Sequence, residues 1–571
     1  MDNQKNTLIA IILMGLILLV YFSEPYQRLI NPNYGQPDTT QVNPPAAWPP
    51  ETTTVTPMPE ETAVVTTNTM LPTNTRGDSL PEILVTVHTP LMEMTISSLG
   101  GGTLRKVYLN KYLRHDSSRV QLIPPGVDGI LANHFLGYEV QDFYTDKIPA
   151  YCSLGDSTSY HIFVKDEPRK ISFTMQLGSK ASIERTFIFF PDSFHFDLQQ
   201  KVTNLGEVNA GRWTALSWRE GLALTEENTK EDIQYNKLYV LLGNDDSPSD
   251  FNAKSKPITE TTTGVITWAG VRVKYFTALL IPDKPAEELW QRRQEIEIGD
   301  SLRKSYTFEL RHSFDRRRPQ QVYNYRIYVG PLDYDILKSY NLYLEEMMSW
   351  GWFGFIGKWC LWFFKKLYAV MPNYGLVIII FSILVKILVA PLTKKSYASS
   401  KKMQELQPKL AALKEKYKNN PQRLNQETMK LYKEMGVNPL GGCLPMLIQM
   451  PLLFALFTLF RTTIELRGAP FVGLEWWIAD LSQPDTVGHL LGIPINPLPI
   501  VMAFSMVLQQ KLMSPTTGGT QQMKSMPYLM TGFFLFLFYS FPSGLNLYYT
   551  LFNFLSIIQQ KFFTPATESA Q

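Results

Sequence analysis

Cysteine is scarce in this chain. There are three in 571 residues, Cys152, Cys360 and Cys443, and they fall far apart. That spacing supports neither a disulfide framework nor a zinc site. Charge is also scarce, with 18% of residues charged against 45% hydrophobic, a low share for a water-soluble protein. Histidine is sparse: His88, His115, His134, His161, His195 and His312 are scattered through one region, and no metal or triad spacing connects them. The chain has no G-x-x-x-x-G-K-[ST] loop, so a nucleotide-driven machine is disfavoured. Internal repeats are missing as well. From these absences we expect no catalytic residue, no metal and no cofactor. The net charge of +3 says little, because the charge is strongly localised.

What is present is strongly segmented. Leu8 to Phe22 is an apolar run behind Lys5, followed by YFSEP with no small-x-small cleavage pattern. Residues 1–30 are read as an uncleaved membrane anchor with its N-terminus in the cytoplasm. Residues 31–80 are rich in Pro, Thr and Asn, lack the apolar content for a core, and read as a disordered tether. Residues 81–350 change texture to short alternating segments such as EILVTVHT, MEMTISSL, SIERTFIFF, HFDLQQKVTN, GVRVKYFTALL and YNYRIYVG. Gly100, Gly101 and Gly102 mark a turn between two of them. Many strands without interleaved helices predict a large all-β sandwich, placed outside the cytoplasm by the preceding anchor.

The remainder is apolar. Tyr374 to Leu392 is long enough to span a bilayer and contains one full charge, Lys386, with Ser382 one turn earlier. Residues 394–436 are very basic, and include Lys394, Lys395, Lys401, Lys402, Lys409, Lys414, Lys416 and Lys418. The positive-inside rule puts this stretch in the cytoplasm. The aromatic segment of residues 351–371 then has to lie flat at the interface rather than cross. Met403, Leu406, Leu410, Leu413 and Tyr417 form an a/d seam, Asn419-Asn420-Pro421 breaks it, and Leu424, Leu431 and Met435 resume an apolar face. These features predict a cytoplasmic helical hairpin. Its lysines suit docking to ribosomal RNA, targeting factors or anionic lipid, although a merely solvated face has the same composition. Apolar stretches at Leu440–Phe460, Pro497–Leu512, Met526–Phe541 and Leu545–Phe562 complete six spans, with both termini and the tail of residues 565–571 in the cytoplasm.

The last stretch carries a polar face: Asn546, Thr550, Asn553 and Gln560, flanked by Tyr549 and Ser556. Gln449, Ser505 and Gln509 add polar groups on other spans. Any one of them could simply join helices by hydrogen bonds. A stripe of them beside an intramembrane lysine points instead to a water-accessible groove within the membrane.

Several motifs at matching order carry a resemblance: APLTKK after the lysine-bearing helix, LQPKL, NPLGGCLPMLIQMPLLFALF, ELRGAPF, KLMSPTT and FPSGLNLYYTLFNFLSIIQQK. From about Gly351 to Phe562 the chain resembles the YidC family of bacterial membrane protein insertases, in the Gram-negative form with a large periplasmic domain. The resemblance implies a five-helix core over residues 372–564, with a groove open to cytoplasm and lipid and closed to the outside. A positive residue there would attract acidic groups of a client's outward-bound segment. By motif, Lys386 takes that position, Ser382 a hydroxyl position and Tyr549 an aromatic contact. The family usually has arginine where Lys386 stands; lysine keeps the charge and loses the planar fork. The implied setting is the inner membrane. The implied partners are nascent membrane proteins, the lipid bilayer, the Sec translocon with its accessory subunits, and ribosome or targeting factors at the hairpin. The protein would act as a monomer or within a translocon complex. A small-solute transporter would instead need a polar path through both leaflets. A carbohydrate-processing enzyme on an anchor would need converging catalytic groups in the β domain, and the sequence shows none.

Overall fold

The computed structural model describes residues 80–138, 142–243, 245–251, 258–298, 301–418, 420–436, 444–513 and 521–563. The anchor, almost all of the tether, the C-terminal tail, Cys443 and the first residues of the Leu440–Phe460 stretch lie outside these. The chain divides into two compact units that meet in sequence at Pro331 and Leu332.

The first unit is β-rich, as its alternating pattern requires. Strand Ser182–Phe189 alternates between half-buried and buried residues along its length, which puts Ile183, Arg185, Phe187 and Phe189 on the inner face. A five-stranded sheet runs in the order Arg119–Gln121, Thr103–Leu113, Met92–Ser97, Leu84–His88, Ser159–Phe163. Its last pair is parallel, with Leu84 opposite Ser159. A fourteen-stranded sheet forms the other layer. Its middle is the antiparallel series Phe276–Pro282, Gln320–Pro331, His195–Thr203, Ser182–Phe189, Arg169–Gln176. The predicted strand GVRVKYFTALL is two strands, because the chain turns at Val273–Tyr275 between Ile258–Arg272 and Phe276–Pro282. One short helix, α1 (Thr229–Tyr235), interrupts the strands and is capped by the Asn228 side chain.

The glycine turn links Met92–Ser97 to Thr103–Leu113 within the five-stranded sheet and packs against Phe187 of the larger one. Gly100, Gly101 and Gly102 all have positive φ, at 70°, 71° and 97°. A Cβ on Gly102 would lie 2.4 Å from the Phe187 ring. Glycine is therefore needed there for conformation and for space.

The second unit holds α2 (Tyr334–Ser339), α3 (Gly354–Val370), α4 (Tyr374–Glu405), α5 (Gln407–Lys416), α6 (Pro421–Glu434), α7 (Leu444–Thr462), α8 (Pro497–Met513), α9 (Gln521–Phe538) and α10 (Ser543–Phe563). The last strand of the β unit ends at Pro331. Met348 and Trp350 bury in the helical core with Cys360, Phe364, Phe381 and Phe460, so the intervening segment belongs to the helices. Helix α3 is amphipathic: Gly354, Gly357, Cys360, Leu361 and Phe364 face inward, while Phe355, Trp359 and Trp362 are exposed.

Among the described residues, one helical segment is long and apolar enough to cross a membrane, Tyr374–Pro391, with mean hydropathy 2.4. Tyr528–Phe538 is apolar but shorter. Helix α10 has 21 residues, yet its amide and hydroxyl side chains lower its hydropathy.

The hairpin differs from its predicted seam. Helix α4 continues past the apolar stretch to Glu405, and the break falls at Leu406. Leu406 and Leu410 are buried against Leu431 and Tyr432, whereas Met435 is exposed. The pairing helices are thus α5 and α6.

Replacing Gly102 with alanine adds a left-handed backbone cost of about 1–2 kcal/mol and an overpacking cost of about 1–3 kcal/mol. We expect Gly102→Ala to lower β-unit stability by about 2–5 kcal/mol, read by thermal or denaturant unfolding of the purified protein.

Candidate functional site: a buried lysine among polar helix faces

Helix α10 packs against α4, α7 and α8, and so links most of the polar groups singled out in the sequence. Lys386 on α4 is 6% exposed. Its ammonium donates to Ser556 Oγ on α10 at 2.6 Å and lies 4.5 Å from the centre of the Phe552 ring. Ser556 in turn donates to the Phe552 carbonyl, which leaves its lone pairs facing the lysine. A charged hydrogen bond is worth about 1.5–3 kcal/mol, and a desolvated cation–π contact about 2 kcal/mol. Together these are comparable to the cost of about 2.5–3.5 kcal/mol for a lysine at the centre of a span. The amine is therefore held between two helices.

One turn back on α10, Asn553 donates its amide to Ser505 Oγ on α8 at 3.0 Å. Ser505 donates to the Met502 carbonyl. Lys386, Ser556, Asn553 and Ser505 thus form one polar locus across α4, α8 and α10. Gln509 follows Ser505 one turn later and is half-buried. The remaining predicted residues lie elsewhere. Ser382 is buried and donates to the Ile378 carbonyl of its own helix. Gln449 donates to the Tyr548 hydroxyl at 2.9 Å. Asn546 donates to the Phe538 and Phe541 carbonyls, closing the turn between α9 and α10. Thr550 bonds the Asn546 carbonyl. Tyr549 stacks edge-on against Phe538 and Tyr548.

Ser556 and Phe552 are the partners that sequence reasoning undervalued. Both were legible as residues on the same helix as Asn553, but which rung of α10 meets Lys386 is set by packing. A second link holds the same two helices together. Pro391 sits inside α4, and beside it Gln559 on α10 donates to Thr393 Oγ1 and to the Ala390 carbonyl.

At the other end of this unit, Lys365 on α3 reaches three carboxylates. They are Asp335 at 2.7 Å, Glu465 at 2.8 Å and Asp333 at 3.5 Å. Desolvation works against the ammonium, but Glu465 and Asp333 outweigh it and hold its pKa above the ordinary lysine range. Lys358 on α3 pairs with Glu346 at 2.6 Å. These lysines, which the sequence suggested as interfacial charges, bind α3 to its neighbours.

Of the basic residues of the hairpin region, Lys394, Lys402, Lys409, Lys416 and Lys418 are exposed and Lys414 is half-buried. The side chains of Lys395 and Lys401 lie outside the described residues.

The β unit does bring scattered residues together. His134 Nδ1 lies 2.8 Å from Glu309 and its Nε2 3.2 Å from Asp142, and Tyr144 donates to Glu309. Strand register creates this group from positions far apart in sequence. Both ring nitrogens face carboxylates, so the histidine is a clamp between strands and has no nitrogen free for proton transfer to a substrate.

An apolar helical unit with a charged residue buried between helices, joined in sequence to a β-rich domain, is the make-up of an integral membrane protein with an extramembrane domain. Family models match in the same order: the YidC periplasmic domain over residues 84–363 and the 60Kd inner membrane protein over residues 366–570. The membrane protein insertase YidC of Chlorobaculum tepidum is 33% identical over 587 residues, covering 98% of this chain and 94% of that one. That of Chlorobaculum parvum is 35% identical over 497 residues, covering 84% and 82%. A crystal structure of an active YidC insertase aligns over 85% of this chain and 95% of that one, at 17% identity and a TM-score of 0.33. The chain belongs to the YidC family of membrane protein insertases, inner-membrane proteins, here with the periplasmic domain present.

Removing Lys365 would strand Glu465, which is 9% exposed. Lys365→Met is expected to destabilise the helical unit by about 3 kcal/mol, and the double variant Lys365→Met/Glu465→Gln to recover part of that. Thermal unfolding in detergent with a probe in the helical unit measures both.

Proposed function

We propose that the polar locus around Lys386 is the client-binding groove of this insertase. The observation that carries this reading is a full positive charge buried between α4 and α10, inside the apolar segment Tyr374–Pro391. In a bilayer such a charge is expensive unless it has a use. An incoming client presents an acidic, hydrophilic tail whose transfer is opposed mainly by desolvation. The ammonium would exchange Ser556 for a carboxylate of that tail, and Ser505, Asn553 and Gln509 would solvate the neighbouring polar groups. The client's apolar helix would then leave along α7 and α9 into lipid, favoured by about 25 cal/mol per Å² of apolar surface buried. Ser382, Gln449, Asn546, Tyr549 and Thr550 shape the wall of this groove through their bonds to backbone and ring edges.

The wider arrangement is part of the same proposal. Six spans, the N-terminal anchor plus five core helices, put both termini in the cytoplasm. Helix α3 lies along the interface on the periplasmic side. The basic hairpin α5–α6 receives ribosome or targeting factors, and the protein acts alone or beside the Sec translocon. Insertion runs on partitioning and membrane potential without a cofactor.

Reconstitution into liposomes with a single-spanning client tests this directly. Wild type is expected to give protease-protected client above empty liposomes. For clients with acidic translocated tails, Lys386→Glu should lower the yield about tenfold, the effect of ~1.4 kcal/mol, while Lys386→Arg stays close to wild type. Equal activity of the two variants removes the electrostatic role.

A further inference from the structure

Among the described residues, no carboxylate pairs with one buried guanidinium of the β unit. Arg185 is fully buried on strand Ser182–Phe189. Its Nη1 donates to the Gly100 carbonyl at 2.9 Å, and the guanidinium lies 5.5 Å from the centre of the Phe187 ring. Its Nε and Nη2 have no protein partner. Burial pulls its pKa down to about 9, so it stays charged at neutral pH. One carbonyl and one ring do not replace the hydration shell of a cation in a packed core.

The groups around it lack partners in the same way. Gln200 stands directly opposite Arg185 on strand His195–Thr203 and is fully buried; its Nε2 is unpaired while its Oε1 accepts from Asn133. Asn133 Oδ1 and the Tyr325 hydroxyl are likewise buried without a partner. The Tyr325 phenol is close enough to feel the Arg185 charge. The His312 ring meets Tyr325 edge-on at 5.4 Å, and Thr214 is its partner across the strand pair. His312 Nε2 and Thr214 Oγ1 are again without partners. In a well-formed core such orphans are few, and of those in the β unit one group is linked to this cation through strand register, a hydrogen bond and ring contact, while others lie elsewhere. Most of the unpaired groups next to Arg185 are donors: two guanidinium nitrogens, an amide nitrogen and a phenol.

From this we infer an internal anion site in the β unit, in which a chloride-sized monovalent anion sits against Arg185, Gln200 and Tyr325, with water bridging to Asn133, His312 and Thr214. A monatomic ion fits the chemistry. It neutralises the guanidinium and accepts from several donors at once. The near-complete burial of these side chains excludes a larger ligand from entering the folded domain. The anion would tie Arg185 and Gln200 of adjacent strands to Tyr325 of a third, next to the Gly100–Gly102 turn whose carbonyl Arg185 holds.

The test uses the full-length protein purified in detergent. Bromide, an anomalous scatterer, is soaked into crystals in place of chloride, and an anomalous peak is expected within about 3.5 Å of the Arg185 guanidinium nitrogens. In parallel, hydrogen exchange and thermal unfolding of the β unit are compared in chloride and in gluconate at matched ionic strength. Chloride should slow exchange in strands Ser182–Phe189 and His195–Thr203 and raise the unfolding temperature by about 2–4 °C. Arg185→Met, or Gln200→Leu should the first variant fail to fold, should lose the chloride dependence. Density that refines as water without anomalous signal overturns the proposal, as does bromide found only at the protein surface. Equal stability of wild type in the two salts overturns it too.

Discussion

The helical unit depends on how one ammonium is accommodated. Lys386 lies in the most apolar segment of the described chain, where an ammonium without polar contacts would be costly. Ser556 and Phe552 supply a hydroxyl and a ring face from the neighbouring helix. That pairing fixes the rotational setting of α10 against α4, and α10 then presents Asn553 to Ser505 on α8. The polar contacts are weak one by one, about 0.6 kcal/mol on average between membrane helices. Their joint effect is to select one packing among several that apolar surfaces alone would allow.

The same contacts give the locus its chemical character. Lysine forms no rigid fork, so the Lys386 ammonium is not tied to one planar acceptor geometry. Lys365 at the other end of the unit behaves differently. Surrounded by Asp333, Asp335 and Glu465, it is a fastening rather than a receptor.

Much of this was legible in the sequence. Alternation in SIERTFIFF gave a strand, and the apolar run with Lys386 gave a helix holding a charge. The polar stripe of α10 was visible as spacing. What spacing could not supply was partnership: that Asn546 closes a turn, that Gln449 meets Tyr548, and that Ser556 takes the lysine. Those depend on the rotation of one helix against another, which no single helix encodes. The hairpin's first turn was misplaced for a local reason. The hairpin was expected to begin at residue 394, yet Thr393 and Gln559 brace the helix beside Pro391 and α4 runs on to Glu405. The His134–Glu309 clamp was invisible because its members lie 175 positions apart.

The unbroken length of α4 has a mechanical consequence. From Lys386 to the break at Leu406 the chain is one rod of about 30 Å, braced at its proline. A load applied where α5 and α6 fold back is therefore felt at the ammonium as a twist or tilt of its own backbone. The buried ammonium and the approach to the hairpin share a single piece of secondary structure.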